Sequence, residues 1–205
     1  ILPNADGRGY AIYTFADPTQ LEGLTHTWQQ LDGAGRQSLL MTLNENYLLG
    51  QLDATRWKRT LVDGLRDEAN PLIAGTLVRY LSEPLLCAPD AAIEAELLQM
   101  ATSHPLSAVR TQLWRLLAQS MSAPQTIETV RQEWQQASNP LLSINDYMTM
   151  SYELAVRLPD EADRIIREKE AYFDILLNYY GIPEDDVESI DNDQLENESE
   201  KEEEK

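Results

Sequence analysis

Residues 70–81 read NPLIAGTLVRYL, and this stretch decides the fold. Pro71 belongs in the first turn of a helix, where its missing N–H costs nothing, with Asn70 as the residue before it. Ile73, Leu77, Val78 and Leu81 then recur at helical spacing and make one apolar face that has to be buried. The opening returns as His104-Pro105-Leu106 and Asn139-Pro140-Leu141, at intervals of 34 and 35 residues. A period of this size is that of a helix-pair repeat, in which each unit buries its face on the next. The expectation is an all-α body, an α-solenoid or HEAT-like curved helical array, with each of the three prolines at a helix start.

Helical signals extend in both directions from this stretch. Upstream, Asp17-Pro18-Thr19-Gln20 is a start signal, followed by Leu21, Leu24, Trp28 and Leu31 until Gly33 and Gly35 end the element. A second helix carries Leu39, Leu40, Leu43, Tyr47 and Leu48 and stops at Gly50; Asp53 caps a third with Trp57, Leu61 and Leu65. The fourth, from Asn70, runs up to Pro84. Downstream, the fifth begins near Pro89, the sixth at Pro105 and the seventh at Pro124; Ser143-Ile144-Asn145-Asp146 caps an eighth that ends at Leu158-Pro159. A ninth is expected over Asp160–Tyr180, stopped by Gly181 and Pro183.

The two ends differ from this body. Asn4-Ala5-Asp6-Gly7-Arg8-Gly9 is turn chemistry, and Tyr10-Ala11-Ile12-Tyr13-Thr14-Phe15 reads as a short strand. A strand needs a neighbour, because a lone one leaves its backbone groups unpaired. At the other end, 184–205 hold twelve acidic residues against two lysines, with Val187, Ile190 and Leu195 as the apolar content. Such a segment cannot bury enough surface to offset its ordering entropy, so 182–205 are expected to form a disordered acidic tail.

The formal net charge of −19 disfavours phosphate backbones, so no nucleic-acid partner is expected. No apolar run approaches the roughly 18 residues that cross a bilayer, and no membrane partner is expected either. The first residue is Ile1 rather than Met, so the chain is expected to be a processed product or a piece of something longer.

Self-sufficient chemistry is not found. His26 and His104 lie on different elements, no H-E-x-x-H is possible, and Cys87 is read as a small buried thiol. Gly33-Ala34-Gly35 is too short for a phosphate loop. Glu94/Glu96 and Asp160/Glu161/Asp163 are read as solvated faces, and Trp28, Trp57, Trp114 and Trp134 as core anchors. No catalytic, cofactor-binding or metal residue is assigned.

The opening and the body together resemble a known family. LPNADGRGYAIYTF (2–15) looks like the N-P-N-x-x-G-Y-Y stretch of zinc aminopeptidases of the aminopeptidase N type, the gluzincins. NPLLSINDYMTMSYELAVRLPDEADRII (139–166) looks like the late helices of bacterial members, and the resemblance covers about residues 2–170. It implies that 1–16 hold the last strand of an otherwise missing β-sandwich and 17–181 a helical-repeat domain. After about Glu170, AYFDILLNYYGIPEDDVESID does not follow the family's usual ending. The zinc motif, its downstream glutamate ligand and the G-x-M-E-N motif would lie upstream, so zinc is expected in the missing catalytic domain and not in this chain. The resemblance thus implies a non-catalytic wall of a peptide chamber, whose partners are the upstream domains and the peptide substrate. The rival expectation is a stand-alone helical-repeat scaffold that binds a peptide or protein.

Overall fold

The computed structural model describes residues 2–4, 9, 11–15 and 17–168. The acidic tail expected over 182–205, the turn residues 5–8 and the part of the ninth helix after Glu168 lie outside the described residues. Among the described residues eight α-helices are delimited: α1 (Pro18–Thr25), α2 (Gly33–Leu48), α3 (Ala54–Arg66), α4 (Pro71–Cys87), α5 (Ala91–Ser103), α6 (Ser107–Ser120), α7 (Pro124–Gln136) and α8 (Ile144–Arg157). Single 3-10 turns stand at Trp28–Gln30 and Pro159–Glu161, and 162–168 are again helical. The protein is all-α, as the apolar periodicity requires.

Short polar side chains start most of these helices. Asp17, Asp32, Asp53, Asn70 and Asp90 each accept a backbone N–H of the first turn, which satisfies a donor the helix cannot. Ser143 and Asp146 form a reciprocal capping box at the start of α8. Gly50, at φ 72°, ends the turn after α2, where a residue with a Cβ would be strained.

The chain divides into two compact units, Ile1–Leu141 and Leu142–Lys205. In the first, α3 packs on α4 and α5 on α6, and these pairs lie side by side. Helices α2, α4 and α6 touch in one row, and α3, α5 and α7 in another, while α1 rests on α2. Between the rows sit Leu39, Leu43, Trp57, Leu61, Leu65, Leu77, Leu81, Leu97, Leu113 and Leu117, all fully buried. Each such leucine contributes roughly 1.5–3 kcal/mol, so the stacking rather than helix propensity holds this unit together. In the second unit, α8 carries Tyr147, Met150 and Leu154 along its buried stripe.

Lys58 shows how the pairs are locked. Its side chain is 2% exposed, and its ammonium donates to the Ala88 carbonyl at the end of α4 and faces Asp90, the cap of α5, at 3.6 Å. A cation at a helix C-terminus and an anion at the next N-terminus both complement the helix dipoles.

Four expectations are corrected. No strand forms at 11–15: those residues carry no ladder, and Tyr10 lies outside the described residues. The physical reason is that no second strand lies beside them among the described residues; the segment is instead stitched to α2 by Asn46 Nδ2 donating to Tyr13 O and Ser38 Oγ donating to Asn4 O. Gly33 and Gly35 do not end the first helix but open α2. Helix α1 stops at Thr25, where the hydroxyls of Thr25 and Thr27 take the carbonyls of Glu22 and Leu24. A Cβ at Gly35 would stand 3.2 Å from Leu31 Cβ and from Asp32 Oδ1, so a larger residue would push these neighbours aside. Pro84 does not stop α4, which runs three residues further because Pro84 and Leu85 are buried against the core. Finally, of the three repeated prolines only Pro71 stands in a helical first turn; Pro105 and Pro140 precede α6 and α8 inside the connecting turns.

Candidate functional site

The repeat is real at the level of hydrogen bonds, although not at the helix position expected. At each copy the residue before proline accepts the N–H of the leucine after it: Asn70 Oδ1 from Leu72 at 3.0 Å, His104 Nδ1 from Leu106 at 3.2 Å, Asn139 Oδ1 from Leu141 at 3.0 Å. This is an Asx-type turn, with histidine standing in for asparagine at the second copy. Because Nδ1 accepts, Nε2 carries the proton and donates to Leu65 O at 3.2 Å. His104 is 3% exposed and has both ring nitrogens engaged, so it serves the turn and is not poised as a base or ligand. His104→Ala should lower unfolding free energy by about 2 kcal/mol, since Leu106 N–H and Leu65 O lose their partner in a buried site. His104→Asn, which keeps the turn acceptor, should cost about half as much. Urea titrations of both variants check this; equal losses would show that the turn acceptor is not the stabilising part.

The accessible chemistry sits on the row formed by α3 and α5. On α3, Arg56, Arg59, Asp63 and Arg66 recur at three- and four-residue spacing, which sets them on one face. Glu96 of α5 meets that face. Arg59 grips its carboxylate with two hydrogen bonds of 2.7 and 2.8 Å, and Arg66 Nη2 adds a third at 2.8 Å. Asp63 lies 3.3 Å from Arg59 Nε, an ion pair without hydrogen-bond alignment, and 3.7 Å from Arg66. Arg56 pairs with Glu22 of α1 at 3.2 Å.

Two clefts flank this ion-pair ladder. One, of about 460 Å³, is lined by Glu22, His26, Asp53, Arg56, Arg59 and Asp63. The other, of about 470 Å³, is lined by Arg66, Glu96, Gln99, Met100, His104 and Pro105. His26, the residue that ends α1, is exposed in the first, and His104 walls the second, so the structure does not bring the histidines into one site.

The hydrogen bonds from Arg59 hold the Glu96 carboxyl below its ordinary value, and the Arg66 charge adds to this. A depressed folded-state pKa stabilises fully above the unfolded value of about 4.3 and is lost as pH falls through the folded one. Stability is therefore expected to decline on acidification below about pH 4, with Glu96→Gln showing a shallower decline. Urea midpoints measured down the acid range test it. Both partners are partly exposed, so the effect is a change of slope and not a collapse.

Other candidates from the sequence find structural places. Glu94 is not part of a solvated face: it is fully buried and receives Ser122 N–H at 3.0 Å, Ser122 Oγ–H at 2.5 Å and Ala123 N–H at 3.1 Å at the start of α7. Glu96, half-buried, is likewise committed to arginines. Asp160 and Asp163 are exposed, and Glu161 pairs with Arg164. Cys87, expected to be buried, is exposed as the last residue of α4, with Glu83 Oε1 3.8 Å from its sulfur. A carboxylate neighbour is the opposite of the electropositive setting an attacking thiolate needs. All four tryptophans are buried, as expected. Burial and Glu83 push the Tyr47 phenol up to about 12.

Sequence reasoning missed the buried charges Lys58, Glu68 and Glu94, each of which binds a helix end or the turn next to one. Nothing local marks them, because the groups they satisfy are about 30 residues away for Lys58 and Glu94. Among the described residues no group of three or more His, Cys, Asp or Glu could hold a metal ion. None of the described helices is long and apolar enough to cross a membrane. The face therefore presents paired charges between two clefts. No protein-family model, curated protein or solved structure matches this chain.

Proposed function

We propose that this chain is the C-terminal helical region of a zinc metalloaminopeptidase of the aminopeptidase N type. In this reading it forms a wall of the chamber in which peptides lose their N-terminal residues. The two helix rows are then part of a HEAT-like solenoid, whose inner surface contacts the distal part of the peptide. Its net charge of −19 would draw cationic peptides toward the chamber. The described residues do not fit a zinc ion, so no step of the hydrolysis is assigned to them. The Lewis acid and the general base would come from upstream.

One observation carries this reading beyond the resemblance: the apolar surface left open near the N-terminus. Ile12, Met41, Leu48 and Leu49 are each more than half exposed. Ile12 and Met41 line a cleft of about 320 Å³ together with Ala11 and Tyr13. Beside it residues 11–15 carry aromatic and β-branched side chains with no strand partner among the described residues. A face of this kind suits packing against a β-sandwich and catalytic domain.

The test is the coding sequence immediately before Ile1. An in-frame continuation with H-E-x-x-H, a downstream glutamate and further strands supports the reading; a nearby start codon without a zinc motif overturns it. Chelator-sensitive hydrolysis of aminoacyl amides by this chain alone with added zinc would overturn its non-catalytic role. The second reading, a stand-alone helical-repeat scaffold, is favoured by the side-by-side helix pairs. It gains if the isolated chain neither binds a hydrophobic dye nor self-associates.

A further inference from the structure

A third cleft, of about 380 Å³, opens where α5, α6 and α7 meet the Asn139-Pro140-Leu141 turn. It resembles the cleft beside His104-Pro105 in having an arginine, a glutamate and a proline turn in its wall. The charges are settled differently. In the first, Arg66 is neutralised by Glu96 at 2.8 Å. In the third, Glu133 is committed to the turn, where it accepts Ser138 N–H at 3.1 Å, Ser138 Oγ–H at 3.3 Å and Asn139 N–H at 2.8 Å. Asn139 Oδ1 is taken by Leu141 N–H. Arg110 is therefore left half-buried with no ion pair or hydrogen bond among the described residues, and its Nε–H is buried without an acceptor.

A buried Nε–H without an acceptor is costly, and a planar oxyanion that accepts from it and from a neighbouring Nη–H removes that cost. Ala101, Trp114, Pro140 and Leu141 give the wall its apolar part, with Trp114 only 5% exposed, and Thr102, Glu133 and Asn139 its polar part. A chain of formal net charge −19 opposes a dianionic phosphate more than a monoanion. We infer that this cleft is a carboxylate-binding subsite, with Arg110 as the anchor and Trp114 as the wall for the adjoining apolar side chain of a peptide. This deepens the peptide-chamber reading and rests on it for the peptide. The carboxylate has two possible sources, a peptide C-terminus or an Asp or Glu side chain.

The test titrates the whole 205-residue chain, labelled with ¹⁵N, and follows the Arg110 Nε–H and Trp114 Nε1–H resonances. The probes are sodium acetate, an acetylated Ala-Leu tetrapeptide with a free C-terminus, its C-terminal amide, and an amidated version carrying one Glu. The free-acid or the Glu peptide is expected to shift both resonances, and whichever does so identifies the source. The plain amide, and either peptide with Arg110→Gln, should bind at least about tenfold more weakly, the worth of one charge-assisted hydrogen bond. Unchanged affinity for the amide or for Arg110→Gln overturns the subsite while leaving peptide binding intact. Acetate shifting Arg110 with no peptide binding keeps the subsite and fails the peptide reading. No shift with any probe overturns the inference.

Discussion

Truncating Trp57 to alanine is expected to lower unfolding free energy by about 4 kcal/mol, a large part of the stability of a domain this size. Trp57 is fully buried in α3, and its ring stands 6.4 Å from Tyr47 of α2 and 6.2 Å from Tyr80 of α4. The indole thus fills the junction where α3 meets the other row, and truncation opens a cavity there. Its Nε1–H is buried without a hydrogen-bond partner, so the side chain acts by volume and ring contact rather than by a polar bond. Trp57→Phe should consequently cost only about 1–2 kcal/mol, since it removes an unsatisfied donor along with the lost volume. Urea unfolding followed by circular dichroism measures both. A Phe variant as unstable as the Ala variant would mean that the indole N–H is satisfied after all.

Removing the Glu94 carboxylate is expected to cost about 3 kcal/mol, although glutamate is a surface residue in most helices. It is fully buried in α5 and bonds two backbone N–H groups and a hydroxyl at the start of α7. Those N–H groups have no intrahelical acceptor, and the positive end of the α7 dipole favours the charge. Glu94→Ala leaves all of them without their carboxylate acceptor. Glu94→Gln keeps one acceptor oxygen and loses the charge, so its loss should be about half. The same variants should raise amide exchange at Ser122 and Ala123 ahead of the rest of the chain. Equal losses for Ala and Gln would show that the charge, and not the hydrogen bonds, is what α7 uses.

The sequence is legible where the cause of a structure is local. The capping side chains Asp17, Asp53, Asn70 and Ser143 place helix starts, and Gly50 places an end, because each acts on backbone within three residues. The apolar spacing of Trp57, Leu61 and Leu65, or of Leu113, Trp114 and Leu117, names the buried faces for the same reason. Where the cause is distant, the reading fails. Gly35 looks like a stop until Leu31 is seen beside it. Residues 10–15 look like a strand because strand propensity is local while strand pairing is not.

The site divides in the same way. Arg56, Arg59, Asp63 and Arg66 share a face by spacing alone, but only the packing of α3 on α5 gives that face Glu96 as a partner. Glu94, two residues from Glu96, has the same chemistry in the sequence, yet tertiary structure sends one carboxylate to arginines and the other to a helix end. Arg110 and Arg66 are equally plain in the sequence, and only the turn that claims Glu133 leaves Arg110 uncompensated. By itself the sequence determined an all-α chain, most of its helix boundaries and which faces are buried, because these follow from backbone hydrogen bonding and periodic burial. Which charges are paired, buried or left over was decided by tertiary structure, since charge pairing depends on distances between groups about 30 residues apart.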